Sequence, residues 1–109
     1  MVVIVIESEA QFDDYIKNIE GKLVVVDFTA QWCGPCKHIG PVFKSLSDMG
    51  DNKNVIFLKV DVDELEDLAA RCKVSAMPTF LFFKDGVKID EVIGANQPQL
   101  VEKIQKHKP

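Results

Sequence analysis

Several function classes are excluded by what this chain lacks. No apolar run in its 109 residues approaches the roughly 20 needed to span a bilayer. It has three cysteines, an odd number and too few for a stapled secreted scaffold. Cationic charge is not in excess: 13 Lys and Arg stand against 17 Asp and Glu, a formal net charge of -4. Neither nucleic acid nor an anionic membrane surface is therefore an expected partner. The two histidines and the missing second Cys-x-x-Cys pair leave a zinc site short of its usual four ligands, so no metal is expected. There is no Gly-rich dinucleotide or flavin fingerprint, and no bound cofactor is expected. Repeats, low-complexity tracts and linkers are also missing, which favours one domain over residues 1–109. The apolar start Met1-Val2-Val3-Ile4-Val5-Ile6 has no basic leader and runs straight into Glu7 and Glu9. It reads as a strand, not a signal peptide. With the sparse cysteines, this points to a reducing, cytoplasmic setting.

What is present is an alternation of strand and helix patterns. Residues 2–6 are a β-branched strand. Ser8 with Gln11 resembles a capping box, and Phe12, Tyr15, Ile16 and Ile19 form a helical stripe that Gly21 ends. The near-continuous apolar run at 23–28 predicts a strand buried on both faces. From Cys33 to about Met49 a second stripe, Ile39, Val42, Phe43 and Leu46, continues past Pro41, which should kink the helix. Residues 54–60 read as another buried strand. Asp63 and Glu66 are candidate caps for a short helix bearing Leu65, Leu68 and Ala69. Residues 79–84 form a strand, and Asp85-Gly86 is a hairpin turn signal. In the strand that follows, the alternation slips at Glu91-Val92, as at a bulge. Asn96, Pro98 and Gln99 open a last helix with Leu100, Val101 and Ile104 inward and Lys103, Lys106 and Lys108 at its cationic end. The order β-α-β-α-β-α-β-β-α predicts an α/β fold: a central mixed five-stranded sheet flanked by four helices.

The chemistry lies in Trp32-Cys33-Gly34-Pro35-Cys36-Lys37, at the junction of a buried strand and a helix. Two cysteines so spaced can open and close a disulfide with little backbone movement. Unpaired N–H groups and the dipole at a helix N-terminus favour a thiolate, so Cys33 should be the attacking sulfur. Cys36, one turn in, should be more buried and stay protonated longer. Pro35 suits a first helical turn, where no N–H is needed, and Gly34 leaves room for another chain. Asp27 sits within the buried run Val24-Val25-Val26-Asp27-Phe28. Burial without a partner destabilises its charged form and raises its pKa, so it can take and return a proton near neutral pH. Lys59 is either a partner for Asp27 or a snorkelling surface lysine. Cys72 continues the Leu65, Leu68, Ala69 stripe and reads as a small core hydrophobe. His38 and His107 read as solvated surface residues.

Together, Val26-Asp27-Phe28, the Trp-Cys-Gly-Pro-Cys-Lys segment, Pro41, Met77-Pro78-Thr79 and Gly94-Ala95 resemble the thioredoxin family over residues 2–107. Protein disulfide isomerase domains usually carry His where this chain has Pro35, and glutaredoxins usually carry Pro-Tyr between the cysteines. One departure is Thr29, where bacterial thioredoxins have tryptophan. The resemblance implies the thioredoxin fold and a general protein disulfide reductase. Cys33 attacks the substrate disulfide, and Cys36, deprotonated by Asp27, resolves the mixed disulfide. Pro78 is expected to be cis and to pack on the Cys33–Cys36 pair, with the Met77 backbone meeting the substrate. Trp32, Gly34, Pro35, Gly94 and Ala95 complete an apolar patch for extended segments. Reducing equivalents are expected from NADPH through thioredoxin reductase. Implied partners are that reductase and disulfide proteins such as peroxiredoxins, methionine sulfoxide reductases and ribonucleotide reductase, met by a monomer. Leu65 and Ala76 stand where some animal relatives have regulatory cysteines, so their second disulfide is not expected. A disulfide oxidase or isomerase of the same fold, and a redox-independent binding subunit of a partner complex, are the alternatives.

Overall fold

A computed structural model describes residues 2–17 and 20–109. Five strands, β1 (Val3–Val5), β2 (Leu23–Thr29), β3 (Val55–Asp61), β4 (Thr79–Lys84) and β5 (Val87–Ile93), form one sheet in the order β1-β3-β2-β4-β5. The β1–β3 and β3–β2 pairs are parallel, and the β2–β4 and β4–β5 pairs antiparallel. Helices α1 (Glu9–Lys17), α2 (Gly34–Asp48), α3 (Glu66–Arg71) and α4 (Gln97–His107) cover the sheet. This is the expected mixed five-stranded sheet with four helices. Ile19, placed by its spacing on the α1 stripe, lies outside the described residues.

The period-2 alternation of β2 divides the core. Val24, Val26 and Phe28 pack on one face with Phe12, Ile16 and Leu68. Leu23 and Val25 pack on the other, with Ile39, Phe43 and Leu46 of α2 and Leu100 and Ile104 of α4. Asp27 has the parity of Leu23 and Val25 and therefore points to the α2 side. Opposite it are Lys59 on β3 and Phe80 on β4. On this side the Phe43 ring meets Phe57 edge-on at 5.1 Å and Phe80 at 5.5 Å, which fixes α2 over the sheet.

The helix ends follow their sequence signals. Ser8 Oγ accepts from Gln11 N at 3.1 Å, and Gln11 Oε1 accepts from Glu7 N at 2.7 Å. Asn96 Oδ1 accepts from Gln99 N at 3.0 Å. Pro41 sits inside α2, where it cannot donate to the Lys37 carbonyl.

Four expectations change. Neither Asp63 nor Glu66 caps α3: its N-cap is Leu65, with no side-chain bond. The β5 register shift lies between Phe82 and Phe83, which pair with Asp90 and Lys88 and leave Ile89 as the extra residue. Asp85 and Gly86, with φ of 52° and 82°, make the turn that feeds this hairpin, and Val87 and Ile89 are left exposed. Cys72 is only half-buried at the end of α3, against the core's edge; its thiol is pushed up by burial.

His107 is not a solvated residue. Its Nε2 lies 2.8 Å from Asp90 Oδ2, while Lys103 Nζ donates to Asp90 Oδ1 at 2.8 Å and Glu91 N to the same oxygen at 2.8 Å. The Lys103 and His107 bonds hold the Asp90 carboxyl well below the usual carboxylate range, because each favours its charged form. Asp90 thus ties α4 to β5. Replacing it by alanine should lower stability at pH 7 by about 1.5–3 kcal/mol, the range for hydrogen bonds to a charged group. A depressed folded-state pKa gives stability that is present above the unfolded value and lost as pH falls. The deficit of Asp90→Ala should therefore shrink below about pH 4, as denaturant titrations at pH 7 and pH 3 will show.

Candidate active site

Residues 30–33 turn the chain from the end of β2 into α2, and Cys33 is the residue that caps α2. Its φ and ψ are -91° and 111°, and its Sγ accepts from Cys36 N at 3.1 Å. Pro35 falls in the first turn, as its missing N–H allows. Cys33 and Cys36 are joined as a disulfide with their Cα atoms 5.3 Å apart. Burial does not distinguish them: Cys33 is 4% exposed and Cys36 5%, so the expected deeper burial of Cys36 is not found. The asymmetry lies in their settings. Cys33 occupies the helix N-terminus, where a thiolate is favoured. Cys36 lies one turn along, on a groove it shares with Asp27.

Asp27 is 3% exposed, and its Oδ1 has no hydrogen-bond partner among the described residues. Burial pushes its pKa up to about 7, partly offset by the positive charge of Lys59. Lys59 is exposed in register with Asp27 and lines the same groove. It faces the carboxylate as a neighbouring charge, with its own head in water, and so combines both readings open at the sequence level.

The Met77–Pro78 bond is cis. It brings Met77 O to 3.7 Å from Cys33 Sγ. Two bonds hold this corner: Thr79 Oγ1 donates to Ala76 O at 2.6 Å, and Gly94 N donates to Pro78 O at 2.8 Å. Gly94, at φ 95°, takes a backbone conformation suited to glycine, and Ala95 beside it is exposed. Gly34, Pro35 and Ala95 are exposed around the buried disulfide, Met77 is half-buried and Pro78 is buried. Trp32 is 67% exposed, yet its Nε1 donates to Asp63 Oδ2 at 2.8 Å. Asp63 N in turn donates to Asp61 Oδ1 at 2.9 Å. Asp63 thus braces the indole at the rim. Sequence reasoning missed this role because an acid before a helical stripe reads equally well as a cap. Among the described residues no His, Cys, Asp and Glu side chains are grouped to hold a metal ion.

A disulfide at a helix N-terminus, with the Met77 carbonyl beside one sulfur and a buried carboxyl on the groove beside the other, defines a dithiol–disulfide redox centre. The profile of the family described as thioredoxin matches residues 3–106. A thioredoxin of Ictalurus punctatus is 53% identical over 107 residues, covering 98% of this chain and all of that one. The X-ray structure of Fasciola hepatica thioredoxin superposes with a TM-score of 0.92 at 45% identity, covering 97% of this chain and 100% of that chain. A second structure concerns thiol resolution in a yeast mitochondrial 1-Cys peroxiredoxin via glutathione and thioredoxin systems. It matches at TM-score 0.87 and 38% identity, over 95% of this chain and 94% of that one.

The chain belongs to the thioredoxin family. It is a thiol–disulfide oxidoreductase, acting as a protein disulfide reductase and redox carrier.

Asp27 carries a stability cost of its own. Its folded-state pKa near 7 lies above the unfolded value of 3.8. Stability is thus complete below pH 3.8 and is lost as pH rises toward 7. A shift of this size corresponds to about 4 kcal/mol as an upper bound. Asp27→Asn should therefore be more stable than the parent at pH 8, by about 2–4 kcal/mol. The gain should disappear near pH 4; denaturant midpoints across that range check it.

Proposed function

We propose that Cys33 is the nucleophile, Cys36 the resolving thiol and Asp27 the base that activates Cys36. The observation that carries this is the geometry at α2: Cys33 caps the helix, whereas Cys36 and the unpartnered, buried Asp27 share one groove. Cys33 thiolate attacks a substrate sulfur, forming the mixed disulfide and expelling the other substrate sulfur as thiolate. Asp27 takes the Cys36 proton. The Cys36 thiolate attacks Cys33 Sγ, the bond to the substrate breaks with its electron pair on the substrate sulfur, and the Cys33–Cys36 disulfide forms. Lys59 tunes Asp27 through its charge.

The substrate chain lies across Trp32, Gly34, Pro35, Met77, Pro78, Gly94 and Ala95. The Met77 carbonyl, next to Cys33 Sγ, is placed to accept from a backbone N–H of an extended segment. Membership of the family supports regeneration by thioredoxin reductase at the expense of NADPH, so that the protein works in electron transport. The yeast structure above supports peroxiredoxins as one substrate class. Methionine sulfoxide reductases and ribonucleotide reductase belong to the same proposal. So do a cytoplasmic setting, favoured by the sparse cysteines, and action as a single monomeric domain.

Cys36→Ser should trap the mixed disulfide, visible as a covalent adduct on non-reducing gels, whereas Cys33→Ser should form none. Turnover of disulfides by Cys36→Ser at the parent rate would remove the resolving role.

A further inference from the structure

The proposed mechanism leaves open how a proton on Asp27 reaches water while a substrate chain covers the disulfide. A groove of about 980 Å³ runs between α2, β1 and β3 and reaches both Asp27 and Cys36. None of the residues assigned to the substrate face, from Trp32 through Ala95, lines it. The groove and the substrate face are therefore two separate approaches to the same pair of groups. Its volume far exceeds the roughly 30 Å³ share of one water molecule. Asp27, only 3% exposed, leaves Oδ1 unpaired among the described residues, and a buried carboxylate oxygen without a partner is where such water is held.

Gly40 lies on the α2 wall of this groove, one turn past Cys36. A Cβ built there meets nothing within 4 Å, so a side chain at this position would extend into open space. Among the described residues, the charged groups lining the groove besides Asp27 itself are Lys59 and Asp61 from β3 and Lys37 and Lys44 from α2; β1 contributes only valines, and β2 adds the Thr29 hydroxyl.

We propose that this groove is the route by which Asp27 exchanges its proton with solvent, and that Gly40 keeps it open. The proposal rests on Asp27 being the base for Cys36. In the resolving step the Cys36 proton passes to the Asp27 carboxylate. After the Cys33–substrate bond breaks, that proton leaves through the groove to bulk water, and the departing substrate thiolate is protonated from solvent. A bulky side chain at position 40 excludes the water that hydrates Asp27. The carboxylate is then harder to ionise, and resolution needs a higher pH. Gly40 is a positioning residue in this sense, since it touches neither sulfur nor substrate.

The test is an acid-quenched time course of the reduced protein with a disulfide peptide, followed by mass spectrometry of the mixed disulfide across pH 5.5–9. Gly40→Leu should slow decay of the mixed disulfide at pH 7 by about threefold or more, and shift the midpoint of its pH profile upward. Gly40→Ala should do the same to a smaller degree, and formation of the mixed disulfide should be unchanged in both. Ser45→Leu, exposed on the same helix and off the groove, should behave as the parent. Parent-like profiles in both Gly40 variants would overturn the proposal, and so would an equal shift in Ser45→Leu. Asp27→Asn separates the two levels: it should slow decay at pH 7 and move the midpoint of the profile up toward the range of an unassisted thiol, about 8.5 or above. If it does while both Gly40 variants match the parent, the base stands and the route fails. If Asp27→Asn keeps the parent profile, the base itself fails.

Discussion

Strand β2 is hydrogen-bonded on both sides, to β3 and to β4, and each residue from Leu23 to Phe28 is buried. A carboxyl within that strand cannot turn to water as a loop residue can. Its period-2 position aims Asp27 under α2, and the aromatic contacts of Phe43 hold α2 in place above it. The desolvation that raises the Asp27 pKa to about 7 follows from strand pairing and helix packing together. The fold accepts a destabilised carboxyl here, and in exchange has a proton acceptor poised near neutral pH beside a cysteine.

The two sulfurs are made unequal by the ends and sides of one helix. Cys33 occupies the α2 N-terminus, where the Cys36 N–H donates to its sulfur; Cys36 sits one turn along, on the groove that Asp27 also lines. Because the two are equally buried, depth is not what separates their roles. In the proposed mechanism the helix terminus favours negative charge at Cys33, and the raised carboxyl serves as the base for Cys36. The cis Met77–Pro78 corner, pinned through Thr79 and Gly94, sets the Met77 carbonyl beside Cys33 Sγ. Trp32 is held outward at the rim by Asp63.

Much of this was legible in the chain. Cys33 and Cys36 declared themselves by spacing, Asp27 by standing in a run of valines, and the order of elements by alternating periods. The cis state of Pro78 came only with the family resemblance, since local sequence does not set it. Contacts between residues distant in sequence were out of reach. Asp63 meets Trp32 across 31 positions, and its place before a helix suggested a cap instead. His107 sits near the chain's end, where solvent is the default reading, and only the packing of α4 on β5 shows it bound to Asp90. The bulge was displaced because exposed Val87 and Ile89 imitate the alternation of a half-buried strand.

The central claim, that the helix terminus and the buried carboxyl give the two thiols different reactivities, is tested most directly by alkylating the reduced protein over a range of pH. Mass spectrometry then gives a separate rate for each cysteine. The account predicts that Cys33 is modified first and throughout the neutral range, with Cys36 much slower until the pH is well above neutral. Equal rates at the two sulfurs, or a faster Cys36, would contradict it.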